Sequence, residues 1–419
     1  MPQIELKYGK VTLPFDFDEA QFEVLGSSNM RTPMADLEIG TKFDQPIGSL
    51  PFDGIVNSGD TVLIVVPDAT RSVGCGQVVN LIVRRLIACG VDAFDIRIIF
   101  ATGIHRNVSQ NEKSAILTPF IYQRIKCLDH GPRDLMQIVK LGEFSDGEVV
   151  ELNRALVEHD HIIIIGGISF HYFAGFTGGR KLICPGLAST RTIAFTHKLA
   201  FDCETFDRRD GVGPGILDGN AVHESFVEAV SLIKPSFAVN TIVNDEGQIV
   251  DLFCGDWLTS HRAACDEYAR AHTVQIAKKR DLVIASCGGI PHDVNMIQAH
   301  KALDSAARAC NDGGTIVLLA ECSEGMGRSD FLNWFEAADS RALAARLCDR
   351  YQVNGQTAFS LMQKTERFNV RVVTALPDSD LGKLRLVRAE PLSVEIKKAA
   401  RASSGYIIPA GAKTKVDLI

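Results

Sequence analysis

Residues 61–105 read TVLIVVPDATRSVGCGQVVNLIVRRLIACGVDAFDIRIIFATGIH. Thr61–Val66 is a continuous apolar, β-branched run that stops at Pro67–Asp68, as expected of a strand buried on both faces. Gln77–Cys89 then has helical periodicity and ends at Gly90, a natural C-cap. Asp95–Phe100 is the next strand and runs into Ala101–Thr–Gly–Ile–His105. Strand, helix and strand in succession indicate an α/β protein with mostly parallel sheets.

The same beat continues in both directions. Residues 1–20 read as a β-rich start, and Ser109–Leu117 as a further helix. His161–Ile165 is a strand entering Gly166–Gly167, and Phe237–Val243 is another. Leu258–Lys278 reads as one long helix. Asp281–Ser286, Thr315–Ala320 and Val370–Ala375 read as strands, with helices at Ala299–Cys310 and Arg341–Tyr351. A chain of 419 residues exceeds one ordinary core, so two domains are expected. A fresh strand at Asp281 sets the boundary near 275, giving an N-terminal domain over 1–275 and a C-terminal α/β domain over 276–419. The fold expected is two α/β domains with mostly parallel sheets and the active site in the cleft between them.

Composition narrows the function. The apolar fraction is 46% and the charged fraction 23%, the balance of a globular protein. Lys and Arg number 44 against 51 Asp and Glu, a net charge of −7, which argues against binding a nucleic-acid backbone. The apolar runs are too short for a membrane span, and the N-terminus has no basic stretch followed by an apolar one. The 11 cysteines are scattered without a C-x-x-C pair, so free buried thiols in a reducing, cytoplasmic setting are expected.

Chemistry-bearing residues gather after the strands, where open α/β sheets bind ligands. Asp68, Thr70 and Arg71 follow the first strand. They can hold a phosphate or carboxylate, or be a helix cap with a surface arginine. His105 and Arg106 follow the second, where a histidine can serve as acid or base, or merely face solvent. His171–Tyr–Phe–Ala–Gly–Phe–Thr–Gly178–Gly179–Arg180–Lys181 follows a third. Its glycines allow a ligand close to the backbone, and Lys181 can be a charge, a nucleophile or an anchor. The alternative is a glycine-rich turn with an exposed basic pair. His197 lies in a helical stretch with no H-E-x-x-H partner. Pro291–His–Asp293 and Gln298–Ala–His–Lys301 follow the first strand of the second half.

Together these segments resemble the nickel-dependent lactate racemase family. Its D-x-T-R turn corresponds to Asp68–Ala–Thr–Arg71, and its G-x-H-R turn to Gly103–Ile–His105–Arg106. Its H-Y-F-A-G-[YF]-[ST]-G-G-x-K segment with a following P-G corresponds to His171 through Lys181 and Pro185–Gly186. A further histidine corresponds to His197, and the G-G-x-P-x-D-x-N-x-x-Q-x-x-K segment to Gly288 through Lys301. Order and spacing agree over most of the chain.

The resemblance implies a racemase or epimerase of a 2-hydroxy acid, lactate or a larger relative, working by reversible hydride transfer. It implies a nickel-pincer nucleotide, a pyridinium-3-thioamide-5-thiocarboxylic acid mononucleotide carrying Ni(II), bound covalently to Lys181. It implies His197 as the single protein ligand of the metal, and a planar donor set suits nickel(II). His105 and His171 are implied as the acid/base pair. Arg71, Gln298, Lys301 and Tyr351 are implied as substrate contacts, and Asp68, Thr70, Gly178 and Gly179 as a cradle for the nucleotide. The cofactor-synthesis enzymes are implied partners. Two features depart from the pattern. The family's D-Q-W-Q stretch reads Asp349–Arg–Tyr351–Gln352 here, and position 180 is arginine where many members have a small residue. Two other readings compete: a non-catalytic carrier of the same nucleotide, for which two acid/base histidines are needless, and a zinc hydrolase, for which no ligand motif is present.

Overall fold

The computed structural model describes residues 2–26, 31–389 and 404–419. Its contacts divide the chain into two units. The first comprises residues 29–200 and 210–268, the second residues 1–28, 201–209 and 269–419. These units differ from a linear division at 275 in that residues 1–28 and 201–209 fall with the C-terminal part. The chain's first residues belong with its last because Phe22–Val24 pairs in parallel with Gly405–Ile408. Leu6, Phe15, Phe17 and Phe22 are buried in one cluster with Leu282, Ile284 and Ile407. Such long-range pairing leaves no local trace in a sequence.

The first unit is built on a six-stranded sheet. Its order is Ile249–Gly255, Phe237–Val243, His161–Gly167, Val62–Pro67, Ile96–Ala101 and Lys126–Asp129. The last five run parallel, and Ile249–Gly255 is antiparallel to its neighbour. All six residues of Val62–Pro67 are buried, as the uninterrupted apolar run requires of a central strand. The helix Cys75–Ala88 crosses back over the sheet, and Val78, Val79, Ile82 and Leu86 pack on Val62, Ile64 and Val66. Phe43, Phe52 and Phe237 close one end of this core with edge-to-face and tilted contacts.

The second unit has its own six-stranded sheet, parallel throughout. Its order is Val387–Arg388, Asn369–Val373, Cys310–Leu319, Arg280–Ser286, Gly405–Ile408 and Phe22–Val24. The helices Met296–Ala309, Ser340–Asp349 and Val353–Arg367 belong to the same unit. Two expectations fail here. The long helix ends at His272, and Thr273–Ile276 turns into a strand paired with Lys415–Leu418. The β-branched Thr273, Val274 and Ile276 favour that change. The expectation of free thiols fails for Cys203 and Cys348, which form a disulfide across 145 residues, while nine cysteines remain free. No helix among the described residues is long and apolar enough to cross a membrane.

Candidate active site

Three neighbouring parallel strands of the first unit, His161–Gly167, Val62–Pro67 and Ile96–Ala101, end on the segments singled out above. Asp68 leaves the end of the central one and is buried, whereas Arg71 is half-buried and Thr70 exposed. His105 follows Ile96–Ala101, and its side chain is 57% exposed.

Asp68 and His105 form a dyad. His105 Nδ1 donates to Asp68 Oδ2 at 2.7 Å. The other carboxylate oxygen accepts from the Thr70 backbone N–H (3.0 Å) and the Thr70 hydroxyl (2.6 Å). Burial alone would raise the Asp68 pKa. The His105 contact, the Thr70 hydroxyl and the Arg71 charge outweigh it and hold the carboxyl below its ordinary value. An ionised carboxylate only accepts, so the proton on His105 must sit on Nδ1, leaving Nε2 as the exposed basic atom. Asp68 and Thr70, which the resemblance implies as part of a cradle for the nucleotide, contact His105 and one another here.

His171 is buried at the end of the short strand Phe170–His171, which pairs with Gly175–Phe176. The Ala174 backbone N–H donates to its Nδ1 at 3.2 Å. The ring stacks on Tyr172 and meets Phe173 edge-on at 4.5 Å.

The glycines of the loop are explained by the protein itself. Gly178 has φ +75°, and a Cβ there would lie 2.7 Å from Ile168 Cδ1. Gly179 has φ +48°, and a Cβ there would lie 2.4 Å from His261 Cδ2. Both must be glycine for this turn to press against the strand end and the helix Thr259–His272. Arg180 is not an exposed basic residue but one of the most buried side chains. It donates to the carbonyls of Phe176 (3.0 Å) and Ala174 (2.6 Å) and lies 2.9 Å from His261 Nε2. Among the described residues no carboxylate pairs with it and its Nε has no partner, and burial lowers its pKa to about 10.

Lys181 and His197 share one aromatic wall. Lys181 Nζ lies 5.5 Å from the Phe173 ring and 5.4 Å from Phe226. The His197 ring lies 5.0 Å from Phe173 and 5.7 Å from Phe226. His197 is carried by the helix Thr190–Lys198 and is buried. Burial first, then the Lys181 charge, lowers its pKa to about 3, so the ring is a neutral donor at ordinary pH. Among the described residues no three His, Cys, Asp or Glu side chains converge as a metal site. A metal at His197 would have fewer than three such donors from the described residues and would take the rest from a bound group. A primary amine beside that imidazole, against two aromatic faces, fits a flat group tethered through Lys181.

Gln298, Lys301 and Tyr351 belong to the second unit. Lys301 Nζ donates to Gln298 Oε1 at 2.7 Å within one turn of Met296–Ala309. The Tyr351 hydroxyl donates to Gln356, and its ring packs on the core of that unit. Asn220 went unnoticed in the sequence. It is fully buried, caps the helix Ala221–Ser231, and donates to the Phe173 carbonyl at 2.9 Å. An asparagine is a common helix cap, but nothing local signals its reach of 47 residues to the histidine loop.

The family profile for the lactate racemase N-terminal domain matches residues 8–207, and that for the C-terminal domain residues 275–405. A lactate racemase of Lactiplantibacillus plantarum is 30% identical over 335 residues, 79% of this chain and 77% of that protein. A lactate racemase of Thermoanaerobacterium thermosaccharolyticum is 29% identical over 356 residues, 84% of this chain and 82% of its own. The solved structure of the lactate racemase apoprotein from T. thermosaccharolyticum superimposes with a TM-score of 0.88 at 27% identity, covering 99% of this chain and 100% of that one. A Thermotoga maritima protein shares the fold at a TM-score of 0.70 and 19% identity, over 93% of this chain and 100% of its own.

Proposed function

Because this chain belongs to the lactate racemase family, we propose that it is an isomerase that interconverts the two hands of a 2-hydroxy acid, lactate being the substrate named for its relatives. The observation that carries the reading is the Asp68–His105 dyad, an exposed imidazole whose proton is pinned on Nδ1 so that Nε2 can take one. A carrier protein has no use for such a base.

We assign Lys181 as the covalent anchor of a nickel-pincer nucleotide and His197 as its nickel ligand, on the strength of the wall they share at Phe173 and Phe226. When bound, that group supplies a carbon able to take a hydride from the substrate and return it. The protein's part is positional and protolytic. Arg71 presents a guanidinium for the substrate carboxylate. His105 Nε2 takes the hydroxyl proton of one hand as C2 becomes planar and gives it back as the centre re-forms. His171 faces the other hand.

The test uses protein made together with the cofactor-synthesis enzymes. Intact mass should rise by the mass of the nucleotide, nickel should bind, and both should vanish in Lys181→Ala. Chiral chromatography of D- and L-lactate, and of larger 2-hydroxy acids, should show conversion in both directions with little deuterium entering C2 in D₂O. Fully active protein with an unmodified Lys181 would remove the cofactor assignment. Failure to convert any 2-hydroxy acid by a nickel-loaded, mass-shifted sample would leave a carrier.

A further inference from the structure

The two histidines keep their protons on opposite nitrogens. His105 Nδ1 faces an acceptor, the Asp68 carboxylate, and so carries the hydrogen. His171 Nδ1 faces a donor, the Ala174 N–H, and so presents its lone pair. The hydrogen of a neutral His171 therefore sits on Nε2. A hydrogen on both nitrogens would set two N–H groups against each other at Ala174.

What fixes this arrangement is the peptide that carries the Ala174 N–H. Its carbonyl, on Phe173, accepts from Asn220 Nδ2 at 2.9 Å. Asn220 cannot turn its amide over. Nδ2 also donates to the Ile216 carbonyl at 3.0 Å, and Oδ1 accepts from the N–H groups of Val222 (3.1 Å) and His223 (3.3 Å). The next peptide is held through the Ala174 carbonyl by Arg180 Nη2 at 2.6 Å, while Arg180 Nη1 holds Phe176 at 3.0 Å. Two fully buried side chains therefore grip the loop on either side of one N–H, and that N–H donates to Nδ1 of the ring. A polarised amide chain from Asn220 through the peptide to Nδ1 strengthens each of its bonds.

We propose that Asn220 and Arg180 are positioning residues that lock His171 in the Nε2–H tautomer, so that the resting protein holds one histidine set to accept a proton at Nε2 and one set to donate a hydrogen bond from Nε2. The catalytic meaning rests on the racemase reading: His105 is ready as a base, whereas His171 can serve as one only after Ala174 releases its Nδ1. The tautomers themselves are a property of the protein alone and are measured without turnover.

The experiment is two-bond ¹H–¹⁵N correlation on the full chain labelled with ¹⁵N-histidine, with His105→Gln and His171→Gln identifying the two rings. The expected result is a protonated Nδ1 on His105 and a protonated Nε2 on His171. Asn220→Asp keeps the oxygen that caps the helix and removes the donor to Phe173, so the His171 pattern should move toward exchange between tautomers while His105 stays as it was. Arg180→Lys keeps the charge and cannot reach both carbonyls, and it should have the same effect. A protonated Nδ1 on His171 in the unsubstituted protein overturns the proposal whether or not the variants fold. So does an unchanged His171 pattern in a folded Asn220→Asp. Neither result touches the racemase assignment, which lactate conversion decides separately.

Discussion

At the residue scale the dyad gives the sharpest prediction. Asn at position 68 matches Asp in size, but its amide can donate to His105 Nδ1 and turn the ring to the Nε2–H form, which has no base to offer. Asp68→Asn should lower kcat by about 10²–10⁴, the usual worth of a general base. KM should change little, and the Lys181 adduct should stay intact. Initial rates from each hand of lactate, with the mass recorded on the same sample, check this, and turnover within twofold of the unsubstituted protein would deny His105 its role. The residue types at this site were legible in the sequence because strand ends bring them out: Asp68, His105, His171 and Lys181 all follow buried runs. The pairings were not. Nothing in the interval from Asp68 to His105 says that the carboxylate grips the imidazole rather than a phosphate, because that contact is made by two adjacent strands whose order the sequence does not state. Arg180 illustrates the same limit. Beside Lys181 it reads as a surface pair, yet it turns inward to serve carbonyls of its own loop.

At the scale of elements the glycine turn is held by packing, and this separates two glycines that look alike in sequence. Both Gly179 and Gly147 have positive φ, but only Gly179 has a neighbour where a Cβ would go. Gly147→Ala should cost about 1 kcal/mol for the strained conformation alone. Gly179→Ala adds overpacking against His261 and should cost roughly 2–4 kcal/mol in urea unfolding. Equal losses at both sites would mean that the turn yields, and that its closeness to His261 is incidental. The disulfide is a second element-scale device. It ties Cys203, in the short segment 201–209 that the first unit's chain lends to the second, to Cys348 at the end of Ser340–Asp349. Closing 145 residues is worth about 5 kcal/mol in the chain-entropy picture. Dithiothreitol, or Cys203→Ser, should therefore lower the thermal midpoint of the second unit, and an unshifted midpoint would mean that the bond does not form in solution. Repeating apolar runs made the parallel strands readable, and the helix before Gly90 ends where its cap chemistry put it. The excursion through 201–209 was not readable, since it is set by the second unit's core accepting Phe201.

For the whole molecule, the buried imidazoles decide how the fold responds to acid. Apart from His197, four are held neutral chiefly by burial. His130 is lowered to about 4 and His223 to about 3, and His261 and His300 lie well below the ordinary value of 6.5. The sign follows from proton counting. Below pH 6.5 each of these rings binds a proton in the unfolded chain and not in the folded one, so stability is complete above that pH and is lost as pH falls toward the lowered values. Each contributes a slope of about 1.4 kcal/mol per pH unit, against a total stability on the order of 5–15 kcal/mol. Carboxylates add nothing in this window, because they protonate lower. Three of the four, His130, His223 and His261, lie in the first unit, and only His300 lies in the second. His197 adds a fourth lowered imidazole to the first unit, so acid should weaken the first unit more steeply than the second. Amide exchange at pH 7.5 and 5.5, corrected for intrinsic rates, should show protection falling far more on His161–Gly167 than on Arg280–Ser286. Parallel loss from both sheets, or loss led by the second, would mean that these rings become protonated without unfolding and that their burial is looser than the structure has it.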